Sequence, residues 1–381
     1  MQLQLPEPGP DALAASNALQ QRIADEIRRQ GGWIPFARYM ELALYAPGLG
    51  YYSGGAAKLG KDGDFTTAPE ITPLFGKTLA SLAADLTAQT APRLMEFGAG
   101  TGRLAFDILT ELKAQGVALE SYAIVELSGE LRGRQQELLR DFPEVRWLES
   151  LPDAFSGVVV GNEVLDAMPV SLVAKTTDGW AERGLCLEGG RFAYEDRPCP
   201  AELARQIPGA ELLPEGYLTE VHPQACAFMR ALGAMLAAGG AGCAILVDYG
   251  FPAAEYYLAQ RHQGTLMCHY RHHAHPDPLY LPGLQDITAH VDFSAMAEAA
   301  VASGIELLGY AGQAGFLLAA GLGDILMRTD PADHAAYLRQ TNAVQRLTSP
   351  AEMGELFKVL VVGKGAALPD AFSRADRSHR L

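Results

Sequence analysis

The turn Glu96-Phe97-Gly98-Ala99-Gly100-Thr101-Gly102 constrains this chain more than any other segment. It follows a short apolar run, Arg93 to Phe97, and precedes a segment, Arg103 to Gln115, with apolar residues at Leu104, Ile108, Leu109 and Leu112. Helical spacing after an apolar run reads as strand, turn, helix. Glycine at alternate positions clears the turn of side chains, so backbone amides and a helix N-terminus can meet a ligand at close range. The pattern recurs in Tyr122 to Val125 followed by Leu127 to Phe142. Val158 to Val160 reads as a third buried strand, and Ala225 to Ala238 leads into Ala244 to Val247. Strands alternating with helices predict an α/β fold built on a mostly parallel sheet covered on both faces.

Glycine spacing narrows the ligand. A dinucleotide fold wants G-x-G-x-x-G, the third glycine allowing close helix packing under a pyrophosphate. Here that position is Arg103 and the glycines run G-x-G-x-G, which disfavours NAD. Glu96, just before the turn, also sits badly with a pyrophosphate but suits a ligand bearing an ammonium group, such as the methionyl part of S-adenosyl-L-methionine. Glu126 ends the next predicted strand, where a carboxylate can accept both hydroxyls of a ribose. The alternative is that the glycines serve only a tight turn and Glu126 is a solvated strand end.

Composition removes other classes. The 381 residues are 49% hydrophobic and 20% charged, with 40 glycines and 23 prolines, a globular composition rich in turns. A formal net charge of −15 opposes the counterion release on which nucleic-acid binding depends, so no nucleic-acid partner is expected. The five cysteines, Cys186, Cys199, Cys226, Cys243 and Cys268, form no C-x-x-C pair and read as reduced thiols. The longest uncharged stretches, Ala231 to Val247 and Leu307 to Gly323, are shorter than the ~18 apolar residues of a membrane span and contain glycines. Met1 to Asp11 has no Lys or Arg and no apolar core, the pattern of neither a secretory signal nor a transit peptide. A cytoplasmic location is therefore expected.

Several blocks then fall into one ordered set. Gly50-Tyr51-Tyr52, Gly63-Asp64-Phe65-Thr66-Thr67-Ala68-Pro69-Glu70, Glu96 to Gly102, Gly161-Asn162-Glu163-Val164-Leu165-Asp166-Ala167, Val247-Asp248-Tyr249-Gly250 and Asp286-Ile287-Thr288-Ala289-His290-Val291-Asp292-Phe293 resemble the signature blocks of the MidA-like class I methyltransferases. The resemblance covers about residues 16 to 365. It implies a Rossmann-like, seven-stranded methyltransferase sheet binding S-adenosyl-L-methionine; mitochondrial members of the family are complex I assembly factors that methylate arginine. The expected organisation is an N-terminal helical segment and lid loop (1–77), core (78–170), β-rich insertion with hairpins (171–225), core (226–250), loop insertion (251–285), core (286–365) and a flexible tail (366–381).

In an open parallel sheet, ligands bind beyond the carboxyl ends of the strands. Asn162, Glu163 and Asp166 follow the strand Gly157 to Gly161; Glu163 and Asp166 are the candidates for holding a methyl acceptor, expected to be a protein arginine, and taking up its proton, and Asn162 for aiming its amide at the cofactor or the acceptor. The alternative has Asp166 capping the next segment and Glu163 pairing with a cation. Candidate cofactor residues are Glu96, Gly98, Gly100, Gly102, Glu126 and, from a loop that could close over the ligand, Thr67. Glu220 and His222 could reach the pocket or serve only their helix, and Asp248 reads as pocket lining. His269, His272, His273 and His275 beside Cys268 lack metal-ligand spacing, so no metal is expected. A protein acceptor is expected and a homodimer is compatible with the sequence. The rival functions are a small-molecule methyltransferase and a cofactor-binding assembly factor with little catalysis.

Overall fold

A computed structural model of the chain describes residues 5–54 and 66–381. The chain divides into two compact units: 66–164, 227–250 and 296–381 form one, and 1–65, 165–226 and 251–295 the other.

The first unit is built on seven strands, β1 (Arg93–Phe97), β2 (Ser121–Val125), β3 (Val145–Leu148), β4 (Gly157–Asn162), β5 (Gly242–Phe251), β6 (Glu306–Gly312) and β7 (Phe357–Lys364). Their spatial order is β6-β7-β5-β4-β1-β2-β3. The strands from β5 to β3 run parallel, and β7 is antiparallel to both β5 and β6. Val158, Val159 and Val160 of β4 are fully or almost fully buried, as a strand covered on both faces requires. Helices cover both sides of the sheet. The strand expected third is therefore fourth. Val145–Leu148, a half-exposed edge strand interrupted by Arg146, carries too weak an apolar signal to be read from sequence.

Chain connectivity runs from β1 outward to β2 and β3, then returns to place β4 on the other flank of β1. Parallel sheets bind ligands at such a switch. Register puts the strand ends in one row: Phe97 is opposite Val125 on one side and Gly161 on the other, while Asn162 is opposite Val247. The glycine turn, Glu126, Asn162-Glu163 and Asp248 thus begin at the same edge of the sheet.

Helix α1 (Pro73–Gln89) starts at Thr72, whose hydroxyl accepts the Leu74 N–H, with Pro73 at its first position. It packs on α2 (Arg103–Ala114) at Gly76, where a Cβ would stand 2.7 Å from the Asp107 Cβ. α3 (Gly129–Leu138) is capped by Ser128, whose Oγ accepts the Leu131 N–H. The segment 366–381, expected as a flexible tail, is packed instead. Phe372 is buried against Phe316, the Asp376 carboxylate accepts the Tyr310 and Ser378 N–H groups, and Arg377 pairs with Glu355. Ala366, Leu368 and Ala375 add apolar contacts to the same core.

The second unit carries an antiparallel sheet in which Gly179–Glu188 pairs with Ser171–Thr176, Arg191–Pro198 and Ile34–Pro35, and Ser171–Thr176 also pairs with Leu218–Val221. Its Gly189-Gly190 hairpin has both residues at positive φ, the geometry that glycine supplies without strain. The N-terminal helix, Pro10–Arg29, buries Leu19, Ile23 and Ile27 at four-residue spacing in this unit's core. A smaller sheet joins Met267–Tyr270 to His273–His275 and Asp286–Thr288.

Because Gly76 lets α1 approach α2, Gly76→Val should lower stability by about 2 kcal/mol through overpacking. A urea unfolding midpoint equal to wild type would contradict this contact.

Candidate functional site

Gly98, Gly100 and Gly102 all lie in the left-handed region, with φ of +60°, +53° and +86°. An L-side chain is strained there, and a β-branched one most of all. The Gly98 N–H donates to the Val125 carbonyl and the Gly102 N–H to that of Ala99, so the turn is fixed to the end of β2 and folded on itself before α2 begins. Thr101 donates from Oγ1 to Glu70 Oε1 at 2.5 Å. Of the block that sequence suggested as a lid, Glu70 therefore reaches the turn. Thr67, half-buried, precedes the short helix Ala68–Ile71 and makes no side-chain cap. Gly63, Asp64 and Phe65 lie outside the described residues.

Glu126 takes up position beside this turn. Its Oε1 accepts the Ser128 N–H at 2.9 Å and its Oε2 accepts the Gln135 amide at 3.0 Å. Burial raises its pKa, opposed by the N–H groups of Ser128 and Leu127, by Gln135, and by the Gly100 N–H. Gln135 also donates to the Gly100 carbonyl, and the Trp147 indole donates to Gln135 Oε1. Nothing in the sequence marked Gln135. It is the buried residue of an otherwise polar helix, and its partners come from other elements. Leu127, next to Glu126, is 80% exposed, an apolar side chain standing in solvent at the sheet edge.

Glu96 is buried in β1, where its Oε2 accepts the Tyr122 hydroxyl at 2.6 Å. Its pKa is pushed up to about 7 by desolvation, with the nearby Glu126 charge adding to the shift and the Tyr122 hydroxyl opposing it. A carboxyl poised near neutrality takes on negative charge readily when a cation arrives.

At the end of β4, Glu163 adopts φ +54°, uncommon for a residue other than glycine, asparagine or aspartate. Its N–H donates to the Val247 carbonyl, the Val164 N–H donates to Asp248 Oδ2, and Asp248 Oδ1 accepts the Tyr249 N–H. Asp248, taken from sequence as lining, is a buried anchor that holds the bend. Asn162 Nδ2 donates to Glu163 Oε1 at 3.0 Å, while Asn162 Oδ1 is buried with no hydrogen-bond partner among the described residues.

Asp166 belongs to the other unit. It is buried there, and its carbonyl accepts the Ala289 N–H. Its neighbours of the shared motif set are close: Tyr45 donates to the Ala167 carbonyl and Tyr52 to Asp286 Oδ1. In the same unit Glu220 is enclosed, accepting from the N–H groups of Thr265 and Leu266 and the hydroxyls of Thr265 and Tyr256. His222 contacts the Tyr256 hydroxyl, and burial brings its pKa down to about 4. Glu220 thus holds the segment around Thr265 in place, and His222 abuts the tyrosine that donates to it. Cys268 and His275 face each other across a strand pair turned by Arg271 and His272. Among the described residues no three His, Cys, Asp or Glu are placed to hold a metal.

Residues 74–311 match the family described as "S-adenosyl-L-methionine-dependent methyltransferase". The chain belongs to this family. The methyltransferase is 57% identical to a Burkholderia thailandensis protein crystallised with S-adenosyl-homocysteine, over 99% of this chain and 100% of that one, with a TM-score of 0.94. It is 30% identical to the human mitochondrial protein arginine methyltransferase NDUFAF7, over 86% of this chain and 79% of that protein. The zebrafish NDUFAF7 is also 30% identical, over 88% of this chain and 85% of its own length. These relatives correct the expected cytoplasmic location, since both are named mitochondrial. Free thiols mark a reducing compartment without saying which one. Among the described residues no helix is long and apolar enough to cross a membrane.

S-adenosyl-L-methionine fits what the first unit presents. Three left-handed glycines expose main chain at a strand end, a half-buried carboxylate stands beside them, and the side-chain oxygen of Asn162, buried without a hydrogen-bond partner among the described residues, lies at the end of the adjacent strand β4. Gly100→Val should abolish S-adenosyl-homocysteine binding, by a factor above about 100, because valine is excluded from φ +53° and would occupy the cleared turn. Calorimetry showing wild-type affinity would contradict it.

Glu96 also predicts a pH dependence. Folded, it keeps its proton up to about pH 7; unfolded, it releases it near 4.5. Between these values the folded state binds more protons, so wild-type stability falls as pH rises. Glu96→Gln does not titrate, and relative to wild type it should gain about 3 kcal/mol between pH 4.5 and 7 and then level off. A difference independent of pH would show that the buried carboxyl is not perturbed.

Proposed function

We propose that the methyltransferase modifies a protein side chain and that its acceptor is arginine. The observation that carries this is the acidic Glu163, held in a left-handed bend at the end of β4, with Asn162 bonded to its carboxylate and Asp248 anchoring the following residue. The arginine methyltransferase names of the NDUFAF7 relatives support the same reading.

The cofactor would be held by the main chain of Gly98, Gly100 and Gly102, with Glu126 on the ribose, Glu96 on the ammonium, Thr67 from the preceding block, and Leu127 as an apolar flank for the adenine. Bound there, S-adenosyl-L-methionine supplies an electrophilic methyl group. A guanidinium is a poor nucleophile because its lone pairs are delocalised and its proton is retained at neutral pH. Glu163 would grip it through paired N–H groups, fix its plane and draw positive charge away from the attacking nitrogen. As the new N–C bond forms and the methyl–sulfur bond breaks, leaving S-adenosyl-homocysteine, the nitrogen gives up its proton, which Glu163 would accept and pass to water. Asn162 aims an amide at the same carboxylate and keeps it oriented. Asp166, the second acid of the motif, is a further candidate for holding the acceptor. Alignment supplies much of the acceleration, since effective molarities of about 10⁵ M or more are reached by well-placed reactants.

Incubating the protein with methyl-labelled S-adenosyl-L-methionine and a lysate from cells lacking it should label arginine in a protein. Glu163→Gln should cut labelling about 100-fold while changing S-adenosyl-homocysteine affinity less than about threefold. Label on a small molecule would overturn the protein acceptor. Full activity in both Glu163→Gln and Asp166→Asn would overturn the residue assignment.

A further inference from the structure

We propose that Gln135 is a positioning residue for cofactor binding, its carboxamide tying the ribose-facing Glu126 to the glycine turn under the control of Trp147. This rests on the reading above that Glu126 holds the ribose. Gln135 is fully buried in a helix that is otherwise polar. Its Nε2 serves two acceptors, the Gly100 carbonyl at 2.9 Å and Glu126 Oε2 at 3.0 Å, and its Oε1 accepts the Trp147 Nε1–H at 2.9 Å. A half-turn of the amide would set N–H against N–H at the indole and oxygen against oxygen at both other contacts. The indole therefore selects the one orientation in which the amide can donate toward the site. One side chain thus joins the turn after β1, the end of β2 and the edge strand β3.

The third glycine of the turn has a role in this. A Cβ at Gly102 would stand 3.3 Å from Gln135 Cγ and 3.4 Å from its Cα, so a bare residue there lets α3 come close enough for the amide to reach both partners. In dinucleotide folds the third glycine eases helix-to-strand contact. Here, one position earlier, it eases contact with the helix that carries the clamp. Without the amide, Glu126 loses a donor that opposes the effect of burial on its charge, and the Gly100 carbonyl loses its tie.

The test is titration calorimetry of the full chain with S-adenosyl-homocysteine and its 2′-deoxy counterpart, on wild type, Gln135→Met and Trp147→Phe, with folding followed by circular dichroism. Gln135→Met keeps the length of the side chain and removes the amide. It should bind S-adenosyl-homocysteine about tenfold more weakly or worse, as expected for a lost hydrogen bond to a charged group. Removing the 2′-hydroxyl should weaken wild-type binding about tenfold but the variant by less than about threefold, because the misplaced carboxylate no longer exploits it. The variant's affinity should also fall more steeply as the pH is lowered, because Glu126, raised by burial and short of one donor, gains a proton more readily. Wild-type affinity in Gln135→Met, or a hydroxyl penalty as large as in wild type, overturns the proposal. If Gln135→Met does not fold, Trp147→Phe decides: about threefold weaker binding of S-adenosyl-homocysteine, with a reduced hydroxyl penalty, supports it, and unchanged binding of both ligands overturns it. Wild-type protein that fails to bind S-adenosyl-homocysteine overturns the cofactor reading itself, whereas tight wild-type binding with an indifferent variant overturns only the role of Gln135.

Discussion

Everything at the candidate site depends on the pairing of β1 with both β2 and β4. Phe97 lies opposite Val125 and Gly161, so the strands run out at one level and the residues beyond them begin side by side. A one-residue slip in either pairing would turn alternate side chains to the other face of the sheet. Fully buried valines and leucines along these strands hold that register, since exposing any of them would cost about 1.5–3 kcal/mol. The apolar core is thus what aims the polar edge.

That edge gathers carboxylates in places that disfavour charge. Glu96 and Asp248 are buried and Glu126 is half-buried, and burial raises the pKa of Glu96 and of Glu126. Each is given its own donors: the Tyr122 hydroxyl for Glu96, main-chain N–H groups and Gln135 for Glu126, and the main-chain N–H groups of Val164 and Tyr249 for Asp248. The balance differs between them. Glu96, with one hydroxyl partner, is left with a pKa of about 7, which suits the ammonium-facing role proposed for it. Asp248 uses both carboxylate oxygens to hold a bend, and the strained residue in that bend is the acid proposed for the acceptor.

The glycine turn, the strands flanking it and Glu126 were legible because their signal is local, a composition and a spacing within one strand-turn-helix unit. Gln135, Trp147 and Asp248 were not, because each acquires its role from a residue on a different element. A buried glutamine in a polar helix looks in sequence like one more surface residue. β3 escaped notice for a related reason: an edge strand with one face in solvent has no continuous apolar run to betray it. The motif blocks likewise read as one series along the chain, yet they are shared between the two compact units. The glycine turn, Asn162-Glu163 and Asp248 belong to one compact unit, and Tyr52, Asp166 and Asp286 to the other.

The most direct test of the account is a crystal structure of this chain with S-adenosyl-homocysteine. The account predicts ribose hydroxyls on the Glu126 carboxylate and main-chain atoms of Gly98 to Gly102 against the nucleoside. A ligand bound away from the ends of β1 and β2, or one whose ribose leaves Glu126 untouched, would contradict it.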